Sequence, residues 1–472
     1  MERTYASEIG LKEGNKTVLM GWVGARRDHG KIIFIDIRDQ RGIAQLVFLS
    51  KEKELFEKAS HLRPEWVIKV SGVVNKRPEN LVNLELTSGK WEMLVSDLEI
   101  LNQSETPPIA VDTDGYEIGE ESRLKYRYLD LRRPRLQKNI TARHEVVSFI
   151  RDYLNEKDFI EIETPVISKA NTETGARNYL IPSRIYPGKF YALAQSPQQY
   201  KQLLMVSGFE RYFQIAKCFR DEDTRGDRQQ EFTQLDLEMS FVEKEDIMNL
   251  TENLYVKIIQ DLFPDKKISQ TPFPQFTYAE VMKKYETDKP DLRKNKNDAN
   301  ELAFAWITDF PFFEPVRPGS GQETKWTFTH NPFSAPKKEH MEWLIKKTNI
   351  SEIKTEQYDL VLNGHEIGGG SIRNHKPEAL RAVLEIMGMS EEKITNSFGH
   401  MISALSYGAP PHGGIAPGID RFLMILMNEP NIREVIAFPK TGDGQDLMME
   451  SPSEISKDQL EDLRLEIKRK GK

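Results

Sequence analysis

The chain has 472 residues, of which 38% are hydrophobic and 29% charged, with a net charge of −7 and a single cysteine, Cys218. That length exceeds one ordinary core and predicts two or three domains. The composition excludes a disordered chain, and one cysteine excludes a disulfide framework or a cysteine-rich zinc site. No apolar run is long enough for a membrane helix, and Met1-Glu2-Arg3-Thr4 does not begin a signal peptide. A soluble protein of a reducing, cytoplasmic compartment, with no membrane partner, is therefore expected. The negative balance confines any nucleic-acid binding to local basic patches.

Residues 1–105 are strand-rich. The β-prone runs at 18–23, 32–37, 44–48, 66–74 and 91–101 are separated by turns such as Asp28-His29-Gly30. With a helical stretch near 51–59, they predict a small Greek-key barrel of the OB type. A barrel without a ligand and a binding barrel are equally open at this point. Residues 106–140 begin with Thr106-Pro107-Pro108 and carry Arg123, Lys125, Arg127, Arg132, Arg133 and Arg135. They predict a connector, either a solvated charged segment or one that steers a polyanion.

From about residue 141 to 472 helices and strands alternate, so the whole chain reads as α+β. Val146, Val147, Ile150 and Leu154 recur at helical spacing, and a strand begins at Phe159. Ser196-Pro197 predicts a helix start and Gly208 its end. Residues 212–220 and 233–242 predict two antiparallel strands joined by a loop containing Asp221, Glu222, Arg225, Asp227 and Arg228. Along the second strand Leu235, Leu237, Met239 and Phe241 alternate with Gln234, Asp236, Glu238 and Ser240. The polar side is either a solvated face or a working surface.

Asn363-Gly364 predicts a hairpin that pairs Leu362 with His365 and Val361 with Glu366. Asp359 and Glu366 then share a face, either as exposed acids or as an oxygen site for Mg²⁺. Gly368-Gly369-Gly370 implies a large group approaching the backbone. Strand parity puts Arg373 opposite Glu366 unless the glycines supply a bulge, and that bulge is assumed. Gly413-Gly414 through Gly418-Ile419-Asp420-Arg421 forms a glycine-rich helix entry suited to presenting an arginine to phosphates.

These segments together resemble the bacterial-type aspartyl-tRNA synthetases, a class II family, along nearly the whole chain. Phe159 to Pro165 resembles motif 1, Phe219-Arg220-Asp221-Glu222 with 228–236 resembles motif 2, and Gly418 to Arg421 resembles motif 3. The resemblance implies an N-terminal OB barrel for the anticodon and a catalytic antiparallel sheet flanked by helices. It also implies a homodimer, ATP and L-aspartate as substrates, Mg²⁺, and tRNA-Asp as partner.

Residue by residue, Arg220 is implied to hold the α-phosphate and the activated carboxylate, with Asp221, Glu222 and Gln229 at the adenosine end. Arg421 is implied to grip the γ-phosphate, with Gly418, Ile419 and Asp420 beside it, and Glu366 and Asp359 to bind Mg²⁺. Arg220, Glu222 and Arg421 form the implied catalytic set. Arg373 and Lys201 are implied to clamp the aspartate side chain, and Gln198, Asp236 and His330 to complete its pocket. In the barrel, the resemblance implies that Phe34 stacks on and Gln45 hydrogen-bonds anticodon bases, with Arg26, Arg27 and Lys31 near the backbone. From residue pattern alone, Phe34 is instead a barrel-core side chain.

The chain departs from the family in three places. The large insertion between motifs 2 and 3 is reduced to about 294–301. Thr174, beside Glu173, stands where the family has the glutamate that meets the aspartate amino group. His29 resembles the relaxed subgroup that also charges tRNA-Asn. The competing readings are a sister synthetase for asparagine or lysine and a non-catalytic RNA-binding paralogue.

Overall fold

Alternating apolar residues along the first hundred positions close into a five-stranded barrel in the computed structural model, which describes residues 2–84, 86–169, 177–316 and 326–468. The chain forms two units, Met1–Arg133 and Pro134–Lys472. The barrel strands are β1 (Lys16–Asp28), β2 (Ile32–Asp39), β3 (Gly42–Leu49), β4 (Val67–Lys76) and β5 (Trp91–Asn102), joined in the order β1-β2-β3-β5-β4. Helix α1 (Lys53–Ser60) follows β3. Along β2 the period of two turns Ile33, Ile35 and Ile37 into the core and Phe34 and Asp36 outward. Phe34 is therefore not a core side chain.

The five arginines of the basic segment after the barrel are paired with acids rather than solvated, while Lys125 is exposed. Arg123, Arg127 and Arg133 are buried around one carboxylate, Asp130, at 3.1, 2.7 and 2.6 Å. Arg132 pairs with Glu65 at 2.6 Å. Arg133 also donates to the Thr113 carbonyl at 2.8 Å. The unit boundary falls between Arg133 and Pro134, so residues 106–133 fold with the barrel rather than as a free hinge extending to 140. Arg135 belongs to the second unit and pairs with Glu429 at 2.6 Å and Glu434 at 2.9 Å.

Pro134 opens the 22-residue helix α2 (Pro134–Asn155), since proline at a first helical position lacks only an N–H that would go unused. Val146, Ile150 and Leu154 on its buried stripe join the main core. That core lies against an eight-stranded sheet. Its strands are β6 (Ile160–Glu161), β7 (Arg211–Phe219), β8 (Glu231–Ser240), β9 (Gln275–Thr277), β10 (Phe304–Thr308), β11 (Gln357–Leu362), β12 (His365–Ile372) and β13 (His412–Pro417). The order is β9-β10-β11-β12-β13-β8-β7-β6, antiparallel except for the two edge pairs, β6 with β7 and β9 with β10.

The Asn363-Gly364 turn, with φ of 49° and 85°, makes the β11–β12 hairpin. Leu362 pairs with His365 and Val361 with Glu366, as read from the sequence. Leu360 then faces Gly368, so Ile367 is the extra residue of a bulge. The bulge sits just before the glycines and returns Arg373 to the face of Glu366. Helix α3 (Gln198–Val206) starts one residue later than expected, with the Ser196 hydroxyl accepting from the Gln198 amide at 3.2 Å. Gly208, at φ 85°, lies just past its end. Residues 294–301, to which the resemblance reduces the insertion, close as a tight loop. The Lys294 and Asn295 amides donate to Glu301 at 3.1 Å each, and Lys266 holds the Ala299 carbonyl at 2.8 Å.

Candidate active site

The polar side of the sheet is buried, not solvated. Register places Gln234, Asp236 and Glu238 of β8 on the same face as Gly414 and Ala416 of β13 and Gly369 and Ser371 of β12. Asp359 of β11 pairs with Gly369 and joins them. Leu235 and Leu237 point the other way into the core. The polar face lines a cavity of about 380 Å³, closed by α3, by the β7–β8 loop and by residues 328–334.

Lys201 on α3, Arg373 beyond β12 and Asp236 line this cavity, and Glu238, outside the lining, pairs with both cations. Lys201 Nζ lies 2.7 Å from Asp236 and 3.3 Å from Glu238. Arg373 reaches Glu238 through Nε at 2.8 Å and Nη2 at 3.2 Å, and donates to the Ser371 hydroxyl at 2.7 Å. Burial alone would raise the Glu238 carboxyl, but Arg373 and Lys201 outweigh it and hold it at about 2. Burial pushes the Asp236 carboxyl up, against the pull of Lys201. Gln198, one helical turn before Lys201, lines the cavity with a buried amide nitrogen that finds no acceptor among the described residues. Such a donor is expensive to leave unmet, which suits a ligand oxygen.

The glycine run has two functions. A Cβ on Gly368 would sit 2.9 Å from Pro417, and one on Gly370 2.5 Å from the Tyr358 ring, so both clear space inside the sheet. Those two correct the expectation that the run serves an approaching ligand. Gly369 is different, because its missing Cβ leaves room between Asp359 Oδ1 at 3.1 Å and Glu366 Oε1 at 3.6 Å. Burial pushes the Asp359 carboxyl well above the usual range, and Glu366 adds to it. Two adjacent acids in a buried cradle are the donor set of a hard divalent cation. Among the described residues no cluster of three or more metal-binding side chains exists, so substrate oxygens would have to complete the shell.

Arg220, at the end of β7, lies over the Phe232 ring at 5.0 Å and lines the cavity. Glu222 is held by Arg228 at 2.7 Å. Arg421, in α4 (Ile419–Leu426), also lines the cavity. Its Nη1 donates to the Glu366 carbonyl, and its Nη2 lies 3.2 Å from Asp227 Oδ2. His330 stands at the rim, edge-on to Phe310.

Thirteen positions singled out from the sequence thus share the cavity, among them Gly418. Four need a different account. Ile419 turns into the hydrophobic core. Asp420 lines the cavity yet is committed to Arg143 at 2.5 Å and to the Thr233 amide at 2.8 Å, where it braces β8. Gln229 spends its amide on the Lys440 backbone, at 3.0 and 3.3 Å. Asp221 lies outside the cavity lining, 3.7 Å from Arg177. Thr174 and Glu173 lie outside the described residues. Sequence reading passed over Glu238, Asp227 and Phe232 as site residues, although the strict alternation along β8 already put Glu238 beside Asp236.

On the barrel exterior, Phe34 is partly exposed, with the His29 ring edge-on at 5.7 Å. Gln45 donates to Glu92 at 2.9 Å, and Arg27 makes a fork on Asp36 at 2.8 Å through both terminal nitrogens. Arg26 is tied to the Ser60 carbonyl.

Residues 119–442 match the family profile of the class II tRNA synthetases (D, K and N), and residues 17–101 match that of the OB-fold nucleic acid binding domain. An aspartate–tRNA(Asp/Asn) ligase of Rubrobacter xylanophilus is 40% identical over 96% of this chain and 95% of its own length. A relative of the same name from Syntrophomonas wolfei is 39% identical over 100% of both. That alignment runs to 596 columns against 472 residues here, so the relative carries a long stretch this chain lacks. Among solved structures, the asparaginyl-tRNA synthetase of Pyrococcus horikoshii complexed with asparaginyl-adenylate has a TM-score of 0.75 at 22% identity, covering 93% of this chain and 98% of its own. The aspartyl-tRNA synthetase of Entamoeba histolytica has 0.73 at 21%, covering 93% and 91%; both share the fold. With the profile spanning well over half its length and relatives near 40% identity end to end, the chain belongs to the ATP-using class II aminoacyl-tRNA synthetases of the aspartate, lysine and asparagine group.

Proposed function

We propose that this enzyme joins L-aspartate to ATP as aspartyl-adenylate and transfers the aspartyl group to tRNA-Asp and also to tRNA-Asn. One observation carries the reading: the cation pair Lys201 and Arg373, the acid pair Asp359 and Glu366, and the arginines Arg220 and Arg421 line one cavity. An aspartate side chain suits the first set and a triphosphate the other two. Arg373, held on Glu238 through Nε and Nη2 and on Ser371 through Nη1, keeps one Nη1 N–H for a carboxylate oxygen, which accepts it where a carboxamide nitrogen would set donor against donor. The relatives matched end to end, aspartate–tRNA(Asp/Asn) ligases, agree in amino acid and in tRNA scope.

In the first step an oxygen of the substrate α-carboxylate bonds to the α-phosphorus, and the bond to the pyrophosphate oxygen breaks. Such in-line displacement needs positioning and charge stabilisation more than covalent help. Arg220 neutralises charge on the α-phosphate, Arg421 orients the terminal phosphate, and Asp359 and Glu366 would hold Mg²⁺. When bound, that ion supplies charge neutralisation to the phosphate oxygens. In the second step a ribose hydroxyl at the tRNA end attacks the carbonyl carbon and AMP leaves.

The barrel is the anticodon reader in this scheme, with Phe34 the stacking platform beside His29 and Gln45. A cytoplasmic homodimer completes it. Ile160 on β6, with Val166, Ile167, Leu180, Phe190 and Tyr191, forms an exposed apolar set near a short sheet edge that a second copy would cover. Sedimentation of the purified chain as a monomer would remove that element.

ATP–pyrophosphate exchange with aspartate, asparagine and lysine supplied separately tests the amino acid. Exchange with aspartate alone is expected, and it should collapse in Arg373→Ala; near-normal exchange in that variant refutes the clamp. Charging of purified tRNA-Asp and tRNA-Asn tests the scope, and absence of aspartyl-tRNA-Asn would refute the wider specificity.

A further inference from the structure

The loop between β7 and β8 ends in a turn that is fastened at every residue. Arg225 and Arg228 exchange backbone hydrogen bonds at 2.9 and 3.2 Å, and the Gly226 carbonyl accepts from the Ile432 amide at 2.9 Å. Arg228 is held by Glu222 at 2.7 Å. Asp227 stands at the tip of this turn, on the cavity wall. Its Oδ2 is 3.2 Å from Arg421 Nη2 and 3.7 Å from His365 Nδ1, and its backbone carbonyl is 3.5 Å from the same Arg421 nitrogen. Arg421 is thereby gripped between two separate elements, through Nη1 by the Glu366 carbonyl of β12 and through Nη2 by Asp227.

We infer that Asp227 is a positioning residue for nucleotide binding, setting the direction of the Arg421 guanidinium and tying the β7–β8 loop to the β11–β12 turn through His365. The inference rests on the reading of Arg421 as the ligand of the terminal phosphate. A planar fork fixed on two sides presents its remaining N–H groups in one direction and loses less freedom when a phosphate arrives. The carboxylate is ionised throughout the working range, because His365 and Arg421 hold it well below the usual value. Its negative charge by itself opposes a triphosphate. Charge and positioning therefore predict opposite signs for one substitution, since Asp227→Asn removes the charge and keeps the shape.

The test is calorimetric titration of ATP and of ADP, each with Mg²⁺ and without amino acid. It compares the parent, Asp227→Asn, Asp227→Glu, Arg421→Ala and the Asp227→Asn/Arg421→Ala double variant. Positioning predicts that Asp227→Asn weakens ATP about tenfold while ADP, which lacks the terminal phosphate, stays within about twofold. Asp227→Glu should recover most of the loss, and the penalty should vanish in the Arg421→Ala background. Unchanged or tighter ATP binding, an equal loss for ADP, or the same penalty with and without Arg421 would overturn the assignment. Should Asp227→Asn melt early, His365→Gln removes the second tie and is expected to weaken ATP a few-fold, and unchanged ATP affinity there counts against it. Aspartate-dependent exchange by the parent is scored separately. A parent that binds ATP in this pattern yet exchanges nothing with aspartate sinks the substrate assignment and leaves Asp227 in place.

Discussion

Replacing Glu238 with glutamine removes one charge from a buried box of two cations and two acids while keeping nearly the same shape. The site tolerates nothing larger, since a Cβ on Gly414 would lie 2.1 Å from the Glu238 carboxylate. Arg373 and Lys201 depress the Glu238 carboxyl from 4.5 to about 2, which corresponds to about 3 kcal/mol of stabilisation above the unfolded-state value. Breaking a buried pair by removing one partner costs about 3–5 kcal/mol on general grounds, so the two routes agree. Because the folded value is depressed, the contribution is fully present above pH 4.5 or so and is lost as pH falls toward 2. At pH 4 about 1 kcal/mol should already be gone. Urea unfolding at pH 7 and pH 4, with hydrogen exchange of the β8 peptide as the local readout, measures both values. Glu238 is itself one of the charges that raise the Asp236 carboxyl, so the substitution also relieves Asp236. A Glu238→Gln enzyme within about 1 kcal/mol of the parent at pH 7, or a gap that is the same at both pH values, refutes this reasoning.

Asp359→Asn should separate stability from function. It relieves a buried acid whose ionised form is penalised by burial and by Glu366, so the variant should melt no earlier than the parent at pH 7.5. It should meanwhile raise the Mg²⁺ concentration for half-maximal exchange by about tenfold or more; an unchanged Mg²⁺ requirement would show that the acid pair holds no ion. Phe34→Ala should leave exchange untouched and raise the KM for tRNA by roughly five- to a hundredfold, as expected for a stacking contact of about 1–3 kcal/mol. Loss of barrel stability on that substitution would contradict the outward placement of Phe34.

The barrel, the Asn363-Gly364 hairpin and the polar face of β8 were legible because each rests on local periodicity or turn chemistry. Periods of two along β2 and β8 leave few alternatives once a core exists. A bulge was an assumption needed for Arg373 and Glu366 to share a face, and it falls at Ile367, just before the glycines expected to supply it. What sequence could not show was how charges pair across distance. The density of arginine at 123–133 suggested solvent or a polyanion, yet Asp130 collects Arg123, Arg127 and Arg133 in a buried knot. Asp420 and Gln229 sit within motif segments and are spent on bracing Thr233 and Lys440. Two of the three glycines in β12 answer to Pro417 and Tyr358, residues that only the folded sheet brings near.

The pairing inside the box also constrains how an acidic substrate is chosen. Lys201 and Arg373 are matched by Asp236 and Glu238, all four buried, so the wall that meets the substrate side chain has no surplus positive charge. A diffuse attractive field cannot then be the source of selectivity. The alternative is directional: Arg373, fixed by Glu238, Ser371 and the Gly414 carbonyl, has one N–H left and aims it along one line, where a carboxylate accepts and a carboxamide nitrogen clashes. A field effect would be screened by salt, whereas a buried directional contact is not. The ratio of exchange efficiency for aspartate over asparagine should therefore stay within about twofold between roughly 50 mM and 500 mM salt, even as ATP affinity falls. A ratio that drops severalfold over that range would mean that net charge, not donor geometry, makes the choice.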